Sequence, residues 1–487
     1  MRQLTRHDAS FLYSDMAHAN ANVTFVQIYD QSTAPGGKVR FKTLLSHIES
    51  RLHRLPIFRS KLLRVPLELD CPYWIEDEHF DLEYHVRHIA LPEPGDWRQF
   101  CIQASRIHAR ALDLSRPLWE IYVIEGLDSF VDLPVGSFAL LTKIHHAAVD
   151  VESHNEIIEV LHDTTRRTRK PAPPEPWFAE RPPHAISLLC RGAVHVLRSP
   201  LQLLNPLARL APATQAFARE VLRPEHLTAT RFNSVVSSHR VFDTRRFMQD
   251  EFESISGLVA GATLDDAVLA VCAGGLRRYL DGHGELPEVD LAARVAIDAA
   301  ASGPAAGDRS ATSSRRLHLG TNLADPVARL ALIHRQTSSS PIDRRAAAAG
   351  ERISCTVTHL PGPSVPLYLH GARMTYFSAI LPICDGMGLA FAVTTYDGRV
   401  VVSPTSCREL LPDPQAFTQC VRDSFQEYLA LARPVAAPSA ANKQPRSARR
   451  RASSSDTRNP AARKARSAAT ALRVVKAARR RSIALRR

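Results

Sequence analysis

The chain has 487 residues, 45% of them hydrophobic, and a formal charge of +13, a length that accommodates two or three domains around a large core. The charge is uneven: residues 441–487 hold 16 Lys or Arg against one acid, Asp456, which leaves −2 on residues 1–440. The basicity therefore belongs to a tail, and the eight cysteines, scattered without a CxxC pair, argue against a disulfide framework or a zinc site and for a reducing compartment. The opening MRQLTRHDASFLY has no apolar leader core, and no stretch approaches 18 apolar residues, so the expected location is cytoplasmic.

In chain order, NVTFVQIYD (22–30) is rich in β-branched and aromatic residues and reads as a strand. Leu44, Leu45, Ile48 and Leu52 recur at helical spacing over 41–52, and Pro56 ends that run. Short strands are expected at 73–75 and 84–89, a helix over 96–111, and strands at 119–125 and 137–144. A proline-rich, charged stretch at 164–184 reads as a linker, and 186–210 reads as an amphipathic crossover helix.

The second half opens with a strand at 237–242 and holds a strong helix over 264–280, whose Gly274 and Gly275 require a close packing neighbour. Residues 299–316 read as an irregular loop, 325–334 as a helix, and 359–372 as a proline-rich turn. Strands follow at 374–379, 389–396 and 400–403, the last two joined at Asp397-Gly398, and a helix closes the body over 414–432. The expected fold is α+β, with packed sheets and a cleft between two halves.

The stretch with the most chemistry is TKIHHAAVDVES, 142–153, placed between a strand and a helix. It holds His145, His146 and, four residues beyond the second, Asp150. A neutral imidazole can take a proton from an alcohol or thiol near neutral pH and return it within one turnover. Asp150 would orient it directly, or would lock the turn by pairing with an arginine from elsewhere. Histidines satisfied in the core are the bland alternative. A metal reading of the three residues lacks a fourth ligand.

Several further pieces, in order and spacing, accompany this motif: DASFLY (8–13), FDLEYHVR (80–87), SRPLWE (115–120), GGLRRYL (274–280), PGPSVPLYLHGAR (361–373) and DGMGL (385–389). Over residues 3–432 the chain resembles the bacterial wax ester synthase/diacylglycerol acyltransferase family, within the chloramphenicol acetyltransferase-like, CoA-dependent acyltransferase superfamily. The resemblance implies two sandwich domains meeting along a tunnel. Residues 1–163 would form the first domain, 164–223 the linker and crossover helix, and 224–435 the second domain. A disordered basic tail would cover 436–487.

It also implies an O-acyltransferase that moves an acyl group from acyl-CoA to diacylglycerol or a fatty alcohol. His146 would be the general base, His145 the support of the turn, and Asp150 a structural orienter. Pro117, Leu118, Trp119, Asp265 and Asp266 would lie at the substrate. No cofactor or metal is implied, acyl-CoA being a co-substrate. The absence of a GxSxG elbow and of a cysteine beside the histidines agrees with transfer that forms no acyl-enzyme.

Four features depart from the family pattern. Val151 stands where the motif has glycine, Asp265 where it has asparagine, and Thr358-His359 where it has Ser-Asn; around and after Asp298, AIDAAASGPAAGDRS stands in place of the family's Pro-Val-Ser-Val-Arg and Gly-Asn pieces. These departures sustain a rival reading, a weakened paralogue that binds lipid or acyl-CoA without turnover. The tail has no aromatic residue for base stacking, which disfavours sequence-specific nucleic acid. Its remaining readings are a peripheral contact with the inner membrane face or a lipid droplet, a non-specific attraction to nucleic acid, or a dispensable extension.

Overall fold

The computed structural model describes residues 1–66, 69–130, 133–149, 153–167, 183, 187–189, 230–297, 313–338 and 353–433. In chain order the strands are β1 (Arg2–Gln3), β2 (Asn22–Asp30), β3 (Ser60–Leu63), β4 (Tyr73–Glu76), β5 (Val86–Ala90), β6 (Trp119–Leu127), β7 (Ser137–His145), β8 (Arg240–Phe242), β9 (Arg245–Met248), β10 (Ala292–Ile297), β11 (Ser313–His318), β12 (Ile353–Pro361), β13 (Tyr368–Leu369), β14 (Ala372–Ile380), β15 (Ala390–Tyr396) and β16 (Arg399–Cys407). They form a six-stranded sheet, β13-β14-β2-β7-β6-β5, and a seven-stranded sheet, β11-β10-β12-β15-β16-β8, in which β9 also pairs with β16. A small sheet, β1-β4-β3, completes the set.

The six-stranded sheet is covered on both faces, so its central strands are continuous buried runs rather than alternating ones. On one face Phe25, Ile121, Val123 and Leu140 join the large core; on the other Val26, Ile28, Ile124 and Leu141 pack under the helix Trp97–Ala109. That helix starts in a capping box, with Asp96 accepting from the Gln99 N–H at 2.8 Å and the Gln99 side chain accepting from the Asp96 N–H at 3.1 Å. β14 runs antiparallel beside β2, with Phe377 opposite Gln27 and Ile380 opposite Thr24. A segment of the second half of the chain thus completes a sheet built mainly from the first.

The other sheet is flanked by the helices Leu264–Gly282 and Pro414–Ala432. They cross where the first has its glycine pair: a Cβ on Gly275 would lie 2.7 Å from Val421 Cγ2 and 2.8 Å from Val421 Cα. This close neighbour justifies glycines inside a helix. Asp397 and Gly398 both take positive φ, 47° and 72°, the requirement of the tight hairpin between β15 and β16.

Two expectations need correction. Tyr84 and His85 are not in a strand; they close a helical turn, Leu82–His85, capped by Asp81, and the strand begins at Val86. The expected loop over 299–316 ends early, because residues from Ser313 onward form β11, antiparallel to β10 with Arg294 opposite Arg316. An edge strand pairs on one side only, so β11 forms without the apolar pattern that marks central strands. Residues 299–312, nearly all of the expected crossover helix and the tail lie outside the described residues. No described helix is long and apolar enough to cross a membrane.

Candidate functional site

β7 delivers the histidine pair, and its whole length is buried. His145 pairs with Asn22 of β2, its N–H donates to the Leu118 carbonyl at 3.0 Å, and the next N–H, of His146, donates to the Ala21 carbonyl at 2.8 Å. The chain then leaves the sheet in a 3₁₀ turn, His146–Ala148, capped by the His145 side chain, whose Nδ1 accepts from the Ala147 N–H at 3.1 Å. That acceptance assigns the ring proton to Nε2, which faces Asp15 Oδ2 at 3.6 Å. His145 is therefore committed to holding the turn.

His146 is placed differently. Its ring stacks on Phe11 of the helix Arg6–Ser14, with centroids 4.0 Å apart and planes 15° from parallel. Nδ1 is buried without a regular hydrogen bond, which leaves Nε2 as the nitrogen open to a ligand. Burial lowers its pKa from 6.5, and the neighbouring His145 and His7 lower it further against the pull of its own carbonyl and Asp8. Near neutral pH the ring is uncharged and can accept a proton.

The support beneath the pair is polar and buried. Lys143, 0% exposed, lies 2.9 Å from Glu120 Oε2 and donates to the carbonyls of Ile107 and Arg110 at 3.2 and 3.0 Å. Burial lowers the Lys143 pKa and Glu120 opposes that shift. Arg87 and the Tyr122 hydroxyl complete the partners of Glu120. Leu118 and Trp119 belong to the same support: Trp119 donates to the Phe58 carbonyl at 2.8 Å and stacks between Phe58 and His85. Pro117 precedes them and does not line the cavity described next.

His146 opens onto a cavity of about 420 Å³ between the two large sheets. Phe11, Val23 and Phe25 line it on the histidine side, and Arg294, Thr356 and Thr358 on the side of β10 and β12. A larger cavity of about 760 Å³ lies elsewhere, around Trp97, Tyr376 and Arg399, and no histidine lines it. The smaller one is the candidate site because the second histidine of the motif lines it.

Asp265 and Asp266 sit apart from this cavity. Asp266 is buried in the capping box of the helix Leu264–Gly282, receiving hydrogen bonds from the Thr263 N–H at 2.9 Å, His334 at 2.9 Å and the Thr337 hydroxyl at 2.6 Å, and these bonds hold its pKa down despite burial. Asp265 pairs with His359 at 3.0 Å. Since Thr356, Thr358 and Leu360 line the cavity, strand alternation turns His359 to the opposite face of β12. Asp150 and Val151 lie outside the described residues.

The sequence reading did not single out Phe11, Asp15 or Arg294. The first two belong to or follow the DASFLY segment, which was noted as a motif without a chemical role; nothing local marks Arg294.

A strand-end histidine at a cavity between two mixed sheets is the arrangement of the chloramphenicol acetyltransferase-like fold. The first condensation domain of the calcium-dependent antibiotic synthetase superposes with a TM-score of 0.52 at 13% identity, covering 89% of this chain and 96% of that one. The wax ester synthase/diacylglycerol acyltransferase of Marinobacter aquaeolei VT8 superposes at 0.64 with 23% identity, over 88% of this chain and 99% of that one.

The sequence narrows the class. Residues 4–268 match the wax ester synthase/diacylglycerol acyltransferase catalytic domain, and residues 342–428 match the C-terminal domain of the same family. The O-acyltransferase WSD of Acinetobacter baylyi is 31% identical over 418 residues, 75% of this chain and 86% of that one. A Mycobacterium tuberculosis protein named as a diacylglycerol O-acyltransferase is 29% identical over 472 residues, 88% and 89% of the two chains. The chain belongs to the wax ester synthase/diacylglycerol acyltransferase family.

Proposed function

We propose that the protein transfers a long-chain acyl group from acyl-CoA to the hydroxyl of diacylglycerol, making triacylglycerol, and to a fatty alcohol, making a wax ester, with no cofactor and no acyl-enzyme. The observation that carries this reading is the neutral, Phe11-stacked His146 at the wall of a largely apolar cavity. Nε2 takes the proton of the acceptor hydroxyl as its oxygen bonds to the thioester carbon. The tetrahedral oxyanion then collapses, the C–S bond breaks, and the imidazolium returns the proton to the departing thiolate. Ser314, Thr356 and Thr358 on the facing wall are the neutral donors available to the oxyanion. Asp265, whose carboxylate would repel it, is engaged with His359 on the far face of β12.

The test is acyl transfer from radiolabelled palmitoyl-CoA to dioleoylglycerol and to hexadecanol by the intact chain and by His146→Ala. Ester formation with matching CoA release, lowered at least about 100-fold in the variant, is expected. A folded wild type that binds palmitoyl-CoA yet makes no more ester than the variant would instead establish the lipid-binding paralogue.

The tail is read as an attachment to anionic membrane or lipid-droplet surfaces, through its 16 cations at residues 441–487. Removing residues 437–487 should abolish flotation with anionic vesicles; unchanged flotation would discard that role.

A further inference from the structure

The larger cavity, about 760 Å³, shares no lining residue with the His146 cavity. It lies among the first turn of the helix Trp97–Ala109, β9 and the helix Pro414–Ala432, and its size is that of a small-molecule site. Its floor is aromatic and held by ring contacts. Trp97 meets Phe130 and Tyr376 edge-on, with centroids 5.4 and 5.6 Å apart, and Phe247 lies 4.3 Å from Phe425. Phe130, Phe247, Tyr376 and Phe425 are buried, so this apolar surface is pre-formed.

The charges around that floor are mostly of one sign. Arg98, Arg245, Arg246, Arg399 and Arg422 line the cavity, against Asp96 and Glu251. Asp96 is engaged as a helix cap by the Gln99 N–H at 2.8 Å, and Glu251 lies 3.9 Å from Arg433. Arg98 and Arg422 are exposed, with no hydrogen-bond or ion-pair partner among the described residues. Arg245 donates from Nη1 to Asp243 at 3.2 Å and to the Thr244 carbonyl at 3.0 Å, while its Nε is buried without an acceptor. Residues 1–440 carry a net charge of −2, so this concentration of cations belongs to the cavity and not to the body at large.

Exposed guanidiniums are stable in water, so the fold does not need an occupant here. Their consequence is a field: a cleft lined by one sign over apolar walls focuses potential and concentrates counter-ions. A small anion would meet that field and leave the rings to water. A neutral lipid would cover the rings and gain nothing from the rim. A single chain with an anionic head uses both, the chain covering the aromatic floor and the head accepting paired N–H bonds from the arginine forks.

We propose that this cavity is a second lipid site, separate from the His146 cavity, that binds a long-chain amphiphile with one anionic head, a carboxylate or a phosphate monoester. The head is that of a free fatty acid or of a single-chain glycerophosphate lipid. The site does not depend on the acyl-transfer reading, since none of its residues lines the histidine cavity.

Calorimetric titration of the full chain tests this, with oleate, 1-oleoylglycerol 3-phosphate and neutral 1-oleoylglycerol as probes, each below its micelle concentration. The proteins compared are wild type, the double variant Arg98→Met/Arg422→Met, Leu133→Trp, which fills the floor, and His146→Ala. Affinity for an anionic probe should fall about 10- to 100-fold in the arginine variant and at least about 10-fold in Leu133→Trp, with less than about twofold change in His146→Ala. The arginine variant should bind 1-oleoylglycerol within about twofold of wild type. Both arginines are exposed, so its urea midpoint should stay that of wild type. Tighter binding of oleate identifies a fatty acid as the occupant, and tighter binding of the glycerophosphate identifies a phosphate head. Three results overturn the proposal: a wild type that binds neither anionic probe, an arginine variant that binds them as well as wild type, or an equal loss in His146→Ala, which would put the lipid in the other cavity.

Discussion

The two walls of the His146 cavity are built on opposite principles. The histidine wall is over-determined. β7 is hydrogen-bonded on both sides, the amides of His145 and His146 are claimed by Leu118 and Ala21, His145 is spent as a cap, and a buried Lys143–Glu120 pair lies behind it. The facing wall has a single edge strand at its margin, an exposed arginine, small hydroxyl side chains, and the two departures Asp265 and His359 turned to its far side. One wall holds His146 in a fixed place, and the other offers fewer constraints on its side chains.

The comparison breaks most readily at the buried pair. Glu120→Gln leaves the buried Lys143 charge without its counter-ion, and should cost about 3–5 kcal/mol, read as a lower urea midpoint at unchanged slope. A loss under about 1 kcal/mol would mean that the histidine wall is no more rigidly specified than the facing one.

Acid should act next, again on the histidine side. His162 donates from Nδ1 to the Ile158 carbonyl at 2.6 Å and bonds the Tyr29 hydroxyl at 2.7 Å, while His47 donates to the Leu161 carbonyl at 2.9 Å. Burial lowers both pKa values to about 4. The unfolded chain binds these protons near 6.5, before the folded chain does, so stability falls as pH drops from about 6.5 towards 4, by on the order of 3 kcal/mol for each ring. Unfolding midpoints that are flat over this window would contradict the burial of these rings.

A smaller effect follows from Phe11. The acid limb of kcat/KM should lie below 6.5, with activity lost as pH falls through the lowered pKa of His146. Phe11→Ala admits water to the ring and should move that limb up towards 6.5, with about 1 kcal/mol lost from the stack. A limb that does not move would remove Phe11 from the control of the base.

The smallest change is expected on the facing wall. Asp265→Asn weakens a contact with His359 in which the carboxylate side chain is 60% exposed, so stability should shift by less than about 1 kcal/mol and turnover by less than about threefold. A hundredfold gain in rate would instead mean that the carboxylate reaches the reacting centre.

Local physics made much of this legible in advance. The strand Asn22–Asp30 and the helix Pro414–Ala432 stand at the expected residues, since β-branched runs and 3.6-residue apolar spacing are properties of adjacent side chains. The glycine pair announced a close neighbour for the same reason. β11 escaped because SSRRLH has no apolar alternation and owes its form to β10. The helical turn at Leu82–His85 escaped because its Asp81 cap outweighs the strand pattern that follows it.

The sequence by itself determined the histidine motif, the main central strands, the family and the confinement of charge to the tail, each of which is written in neighbouring residues. Tertiary structure alone decided that β14 completes the sheet of β2, that Phe11 and Asp15 come to the histidine pair, that Asp265 answers His359, and that Arg294 lines the same cavity as His146. These pairings join residues 94 to over 340 positions apart in the chain. No local spacing encodes them; they follow from which apolar faces must be buried against one another once the strands exist.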